Sequence, residues 1–100
     1  MNEENNKFVI TYGKGIHLPL HNGYAVSIQF GSGNYCENRK MVFENMSEAD
    51  RIAGKQGCVN CECAVFDKDG EFVTLPCGDT VQGWMDKNEV FELMMWASKL

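Results

Sequence analysis

The residues with the most evident chemical potential are the cysteines. Three of the five stand in the run Cys58-Val59-Asn60-Cys61-Glu62-Cys63, with Cys77 thirteen intervening residues later. Cys58 and Cys61, with two residues between them, can chelate one tetrahedral zinc from a tight turn, and Cys63 and Cys77 could complete the set. Cys61 and Cys63, however, fall in a segment that alternates as a strand. Their side chains would share a face roughly 6.5 Å apart, and the second CxxC pair of a zinc ribbon is missing. Small thiols are common core residues, so core or surface thiols are the preferred reading and a structural zinc the alternative. A thioredoxin-like pair is less favoured, because its CxxC should open a helix after a strand. Cys36 stands apart from the cluster, near Arg39 and Lys40, whose charge would lower its pKa. No Cys–His spacing supports catalysis, so the chain is read as a non-enzyme without a cofactor.

Two other groups look chemical and are not read so. His17 and His21 would share an ion on a helix, but on a strand they stand about 13 Å apart, as two solvent-side side chains. Asp67-Lys68-Asp69-Gly70 lacks the third acid and the distant glutamate of a calcium loop and reads as a hairpin turn.

The stretch Gly31-Ser32-Gly33-Asn34-Tyr35-Cys36-Glu37-Asn38-Arg39 is richer. Glycines allow close backbone approach to a ligand, and successive N–H groups can form an anion nest. Asn34 and Asn38 supply amides, Tyr35 a stacking face, and Arg39 a fork for carboxylate or phosphate. With Gln29, Gly31 and Gly33, and with Asp79 and Trp84 from a second side, they could line a site for a small anionic, nucleotide-like ligand. The plainer reading is a turn in which Tyr35 is core and Arg39 is solvated. Trp84, likewise, is more often a core aromatic.

These groups need a scaffold. Residues 1–6 read as a frayed tail, and residues 7–100 as one domain. Phe8, Ile10 and Tyr12 alternate, as do Ile16, Leu18 and Leu20, and then Tyr24, Val26, Ile28 and Phe30. Pro19 places the second of these strands at an edge or an irregular point. Asn22-Gly23 is read as a type I′ hairpin turn. A short helix is expected from Glu48 to about Gln56, capped by Ser47. Further strands are expected over Asn60 to Phe66 and Glu71 to Leu75. Asp86 should cap a last helix, with Glu89 completing the box and Met85 stapled onto Val90. Val90, Leu93, Met94, Ala97 and Leu100 would form its buried stripe. The outcome is an α+β domain: about five antiparallel strands, a short middle helix, and a C-terminal helix packed on one face.

Composition narrows the functional classes. Nine basic and fourteen acidic residues give a net charge of −5, which argues against general nucleic-acid binding. No apolar run approaches the ~20 residues that span a bilayer. The acidic start carries no secretory signal, so a reducing compartment with free thiols is expected. Residues 56–100 hold eight acids and three bases, while the one local basic group is Arg39, Lys40, Arg51 and Lys55.

Asn22-Gly23-Tyr24, Ser27-Ile28-Gln29-Phe30-Gly31, Gly33-Asn34-Tyr35-Cys36 and Asn38-Arg39 resemble a motif of small proteins encoded by tailed bacteriophages. Ala64-Val65-Phe66-Asp67 with Asp69-Gly70, and Asp79-Thr80-Val81 with Gly83-Trp84, resemble the rest of that pattern. The cysteine cluster departs from it. The resemblance implies an accessory protein acting in the bacterial host cytoplasm, and it brings no catalytic residues. Counter-defence by sequestering a small anionic ligand is the expected function. A chain this short has little room for an enclosed pocket, so a homo-oligomer would supply the missing wall. The alternative partner is a host defence protein, docked by the acidic half as a DNA mimic.

Overall fold

A computed structural model of the chain describes residues 6–11, 14–40 and 57–100. Five strands, β1 (Val9–Ile10), β2 (Gly15–Pro19), β3 (Ala25–Gln29), β4 (Cys61–Phe66) and β5 (Val81–Met85), are followed by the helix α1 (Lys87–Ala97). The strands form one sheet in the order β1-β2-β3-β4-β5, and each pairs antiparallel with its neighbour. The architecture is thus α+β, with α1 across one face. Among the described residues no helix is long and apolar enough to cross a membrane.

Alternation decides which side chains meet α1. Val26 pairs with Val65, and Ile28 with Cys63, so these four leave the sheet on one face. They join Cys61, Leu75, Met85, Leu93 and Ala97 in the core. Asp86 caps α1 as expected: its carboxylate accepts from the Glu89 N–H, and the Glu89 side chain accepts from the Asp86 N–H. Leu93 and Ala97 are buried, with Val90, Met94 and Trp96 packed around them, but Leu100 is exposed beyond the last turn.

Two local expectations are corrected. The hairpin between β2 and β3 is not a type I′ turn, because positive φ occurs at Gly23 alone (φ 89). Leu20 and Tyr24 close a three-residue loop instead, with the Leu20 N–H donating to the Tyr24 carbonyl. The Asn22 side chain uses this geometry to donate to the carbonyl of Ala97 at 2.9 Å, tying the hairpin to the end of α1. The fifth strand is Val81–Met85 and not Glu71 to Leu75. The latter stretch makes one isolated bridge, Phe66 to Phe72, before turning at Gly78. The outer edge of β4 is divided: Phe72 and Val73 hold its Val65–Phe66 end, and β5 takes the rest. Finally, a short 3-10 turn spans Glu37–Lys40. The expected helix from Glu48 to Gln56 lies outside the described residues, as do Arg51 and Lys55.

The remaining turns follow their side chains. Asp67 Oδ1 accepts from the N–H groups of Asp69 and Glu71, and Gly70 takes φ 81, so residues 67–70 are a hairpin turn. His21 is exposed against the Ser98 carbonyl, whereas His17 is half-buried and stacks on Phe66, with ring centroids 5.7 Å apart.

Candidate functional site

The Gly31–Arg39 loop lies at the end of the sheet where β3 leaves, β4 begins and β5 ends. Its anchor is Glu62, which alternation sends to the side opposite Cys61 and Cys63. One Glu62 oxygen accepts from the Tyr35 N–H at 2.8 Å and the other from the Asn34 amide at 3.4 Å. Asn60 holds the loop two residues beyond Tyr35, accepting from the Glu37 N–H at 2.6 Å. Asn38 is buried and donates to the carbonyls of Phe30 (2.8 Å) and Gly57 (3.1 Å). Asn34 also accepts from the Gly31 N–H.

The edge strand is shaped to receive this loop. Cys61 pairs with Met85 and Cys63 with Gln82, so Gly83 and Trp84 together oppose Glu62. This is a β-bulge. The Trp84 N–H, turned out of the ladder, donates to the Tyr35 carbonyl at 2.7 Å. Gly83 lets the two backbones approach: a Cβ there would collide with Tyr35 Cβ and stand 3.0 Å from its carbonyl oxygen. Trp84 has φ 55, the one positive φ at a non-glycine among the described residues. A bulky residue in that region is strained, and such outliers concentrate at functional sites.

What remains exposed is specific. Tyr35 is 48% and Trp84 55% accessible, so both aromatics, which the plainer reading put in the core, lie at the surface. The Arg39 guanidinium sits 4.2 Å from the Tyr35 ring centroid, a cation–π contact. One of its N–H groups donates to the Gly33 carbonyl at 3.3 Å. The anion nest does not form. The N–H groups of Gly31, Gly33, Asn34, Tyr35, Cys36, Glu37 and Arg39 all donate within the protein. Any anion at this surface therefore meets the Arg39 guanidinium rather than backbone amides.

The other residues expected at the site are placed differently. Gln29 is half-buried on β3 and donates to Thr11 and Ser27 hydroxyls. Asp79 is exposed ahead of β5, a strand's length from Trp84, and accepts from the Thr80 N–H. Asn34 and Asn38 hold the loop's shape. Thus Tyr35, Arg39 and Gly33 come together at the surface, and Trp84 joins Tyr35 through its backbone N–H, while Gln29 and Asp79 do not join them. Glu62 and Gly83 are the residues that sequence reasoning missed. Glu62 was legible as the polar residue alternating against two buried cysteines.

The thiols separate. Cys36 is fully buried and its Sγ faces the Gly31 carbonyl at 3.6 Å. Burial pushes its pKa up to about 11, against the lowering expected from Arg39 and Lys40. At neutral pH it is a protonated thiol beside Cys58, not an activated nucleophile. Cys61 and Cys63 lie with their sulfurs 3.7 Å apart, closer than the strand rise alone implies. Cys77 is exposed in the connection before β5. Among the described residues no three or more His, Cys, Asp or Glu side chains cluster as a metal site. On the face of the sheet that carries α1, Ile28, Phe30, Cys58, Cys61, Met85 and Lys87 help line an apolar cavity of about 380 Å³.

Fold and site together define an α+β domain with an aromatic and cationic surface at a bulged sheet edge. No protein-family model, curated protein or solved structure matches the chain.

Proposed function

We propose that this chain is a non-enzymatic bacteriophage accessory protein of the host cytoplasm that counters host defence by binding a small anionic, nucleotide-like ligand. The Arg39 guanidinium stacked on the exposed Tyr35 ring, beside the strained and exposed Trp84, is the observation that carries the reading. The planar faces suit a base, and the guanidinium N–H groups beyond the one given to Gly33 suit a phosphate. The phage assignment draws on the resemblance of the segments around Gly23, Gly31 and Trp84 noted above. Because the surface is open, a second copy of the chain facing the first would enclose the ligand.

The DNA-mimic alternative has less support. Asp67, Asp79, Asp86 and Glu89 each accept backbone N–H groups in turns and the helix cap, so these acids serve the fold. The test is thermal unfolding with a panel of cyclic and linear nucleotides, expected to raise the melting temperature of the native chain and not of Arg39→Ala. No stabilisation by any nucleotide would reject the binding reading. Salt-sensitive capture of a basic host protein would then favour the mimic.

A further inference from the structure

We propose that Cys61 and Cys63 form a redox-active dithiol that a small-molecule disulfide, entering through the cavity, oxidises to an intramolecular disulfide. The two sulfurs lie 3.7 Å apart on one face of β4. The strand rise sets their Cα atoms roughly 6.5 Å apart, within the span a disulfide bridges. The β5 ladder is interrupted opposite Glu62, the residue between them.

The pair is asymmetric. Cys61 lines the cavity together with Lys87, whereas Cys63 is 1% exposed and does not reach it. The hydrogen bond from Cys63 holds the Cys61 thiol below its ordinary pKa, and the same bond with burial pushes Cys63 up. These are the features of an attacking and a resolving thiol.

The step balances as thiol–disulfide exchange. The Cys61 thiolate attacks one sulfur of the disulfide, forming a mixed disulfide and expelling one thiolate. Cys63 then gives up its proton, and its sulfur attacks the Cys61 sulfur, expelling the second thiolate. Two protein thiols are oxidised to one disulfide, and the small disulfide is reduced to two thiols that take the two protons. Closure leaves a neutral, apolar group in the core, so the folded state accommodates the product without a buried charge.

The test treats the reduced full chain with hydroxyethyl disulfide, quenches it with acid, alkylates the remaining thiols with iodoacetamide under denaturing conditions, digests it, and maps each cysteine by mass. The expected result is loss of two hydrogens across Cys61 and Cys63, with their alkylation falling together by about tenfold. Cys63→Ser should stop at a mixed disulfide on Cys61, and Cys61→Ser should carry none on Cys63. A bond from Cys61 to Cys58, or alkylation of Cys61 and Cys63 unchanged by the treatment, would overturn the proposal. The native chain decides this without the variants, so a serine substitution that disturbs the core leaves the test intact.

Discussion

On one side of β4, Cys61, Cys63 and Val65 face α1 through a core whose other members are Val26, Leu75, Met85, Leu93 and Ala97. On the other side, Glu62 grips the Gly31–Arg39 loop by the Tyr35 N–H and the Asn34 amide. The first side is held by removing apolar surface from water, the second by hydrogen bonds between amides, a carboxylate and backbone. Burial withdraws these side chains from the surface, apart from Cys61 and Met85 where they line the cavity. Polar anchoring fixes a loop while Tyr35, Arg39 and Trp84 stay exposed, and that is the condition a binding surface needs.

If the two sides are held by separate means, substitutions should separate them. Leu93→Ala removes core contact and is expected to lower stability by about 2–5 kcal/mol in denaturant unfolding. With Trp96 replaced by Phe in every chain compared, so that Trp84 alone emits, Trp84 emission in the native state should stay unchanged. Gly83→Ala drives a methyl group into Tyr35 and should lower stability by about 1–3 kcal/mol, this time with a shift in Trp84 emission. Equal spectral responses to the two would break the distinction.

Glu62→Ala leaves the Tyr35 N–H and the Asn34 amide without their acceptor, which should lower stability by about 1–2 kcal/mol. Amide exchange at Tyr35 should accelerate far more than exchange at Val65. Arg39→Ala removes an exposed cation–π contact, about 0.5–1 kcal/mol, together with the long hydrogen bond to the Gly33 carbonyl, and tests binding while the Glu62 anchor of the loop stays in place. A further effect is absent at neutral pH and appears only in alkali. Folded Cys36 stays protonated up to about 11, whereas an unfolded thiol ionises near its ordinary 9.0. The folded state therefore holds more protons in that window, and stability should decline as pH rises through it. Comparing unfolding of the native chain and Cys36→Ala across the window should show a flatter dependence in the variant.

Much of the fold was legible because it rests on local signals. The alternating runs before Phe30 and over residues 60–66 became β1 to β4, and Asp86 with Glu89 became a full capping box. The fifth strand was not legible. Glu71 to Leu75 alternates convincingly, but the β4 edge can be shared between two segments, and Val81–Met85 carries Gly83 and a bulge that interrupt its period. The site was partly legible. Gly31, Gly33, Tyr35 and Arg39 could be named as a loop with binding chemistry. That Asn34 and Asn38 support the loop, or that Trp84 is strained and exposed, depends on long-range pairing with Glu62, Phe30 and Tyr35. The same pairing decides the cysteines. The rise per residue gave the spacing of Cys61 and Cys63, but side-chain lean brings the sulfurs to 3.7 Å.

The most direct measurement follows Trp84 itself. In a Trp96→Phe chain, Trp84 is the remaining tryptophan, and its fluorescence can be titrated with cyclic and linear nucleotides. Saturable quenching by at least one nucleotide is expected, weakened by salt and abolished in the Arg39→Ala background. A folded chain whose Trp84 emission responds to none of them, or responds equally without Arg39, would contradict the binding reading.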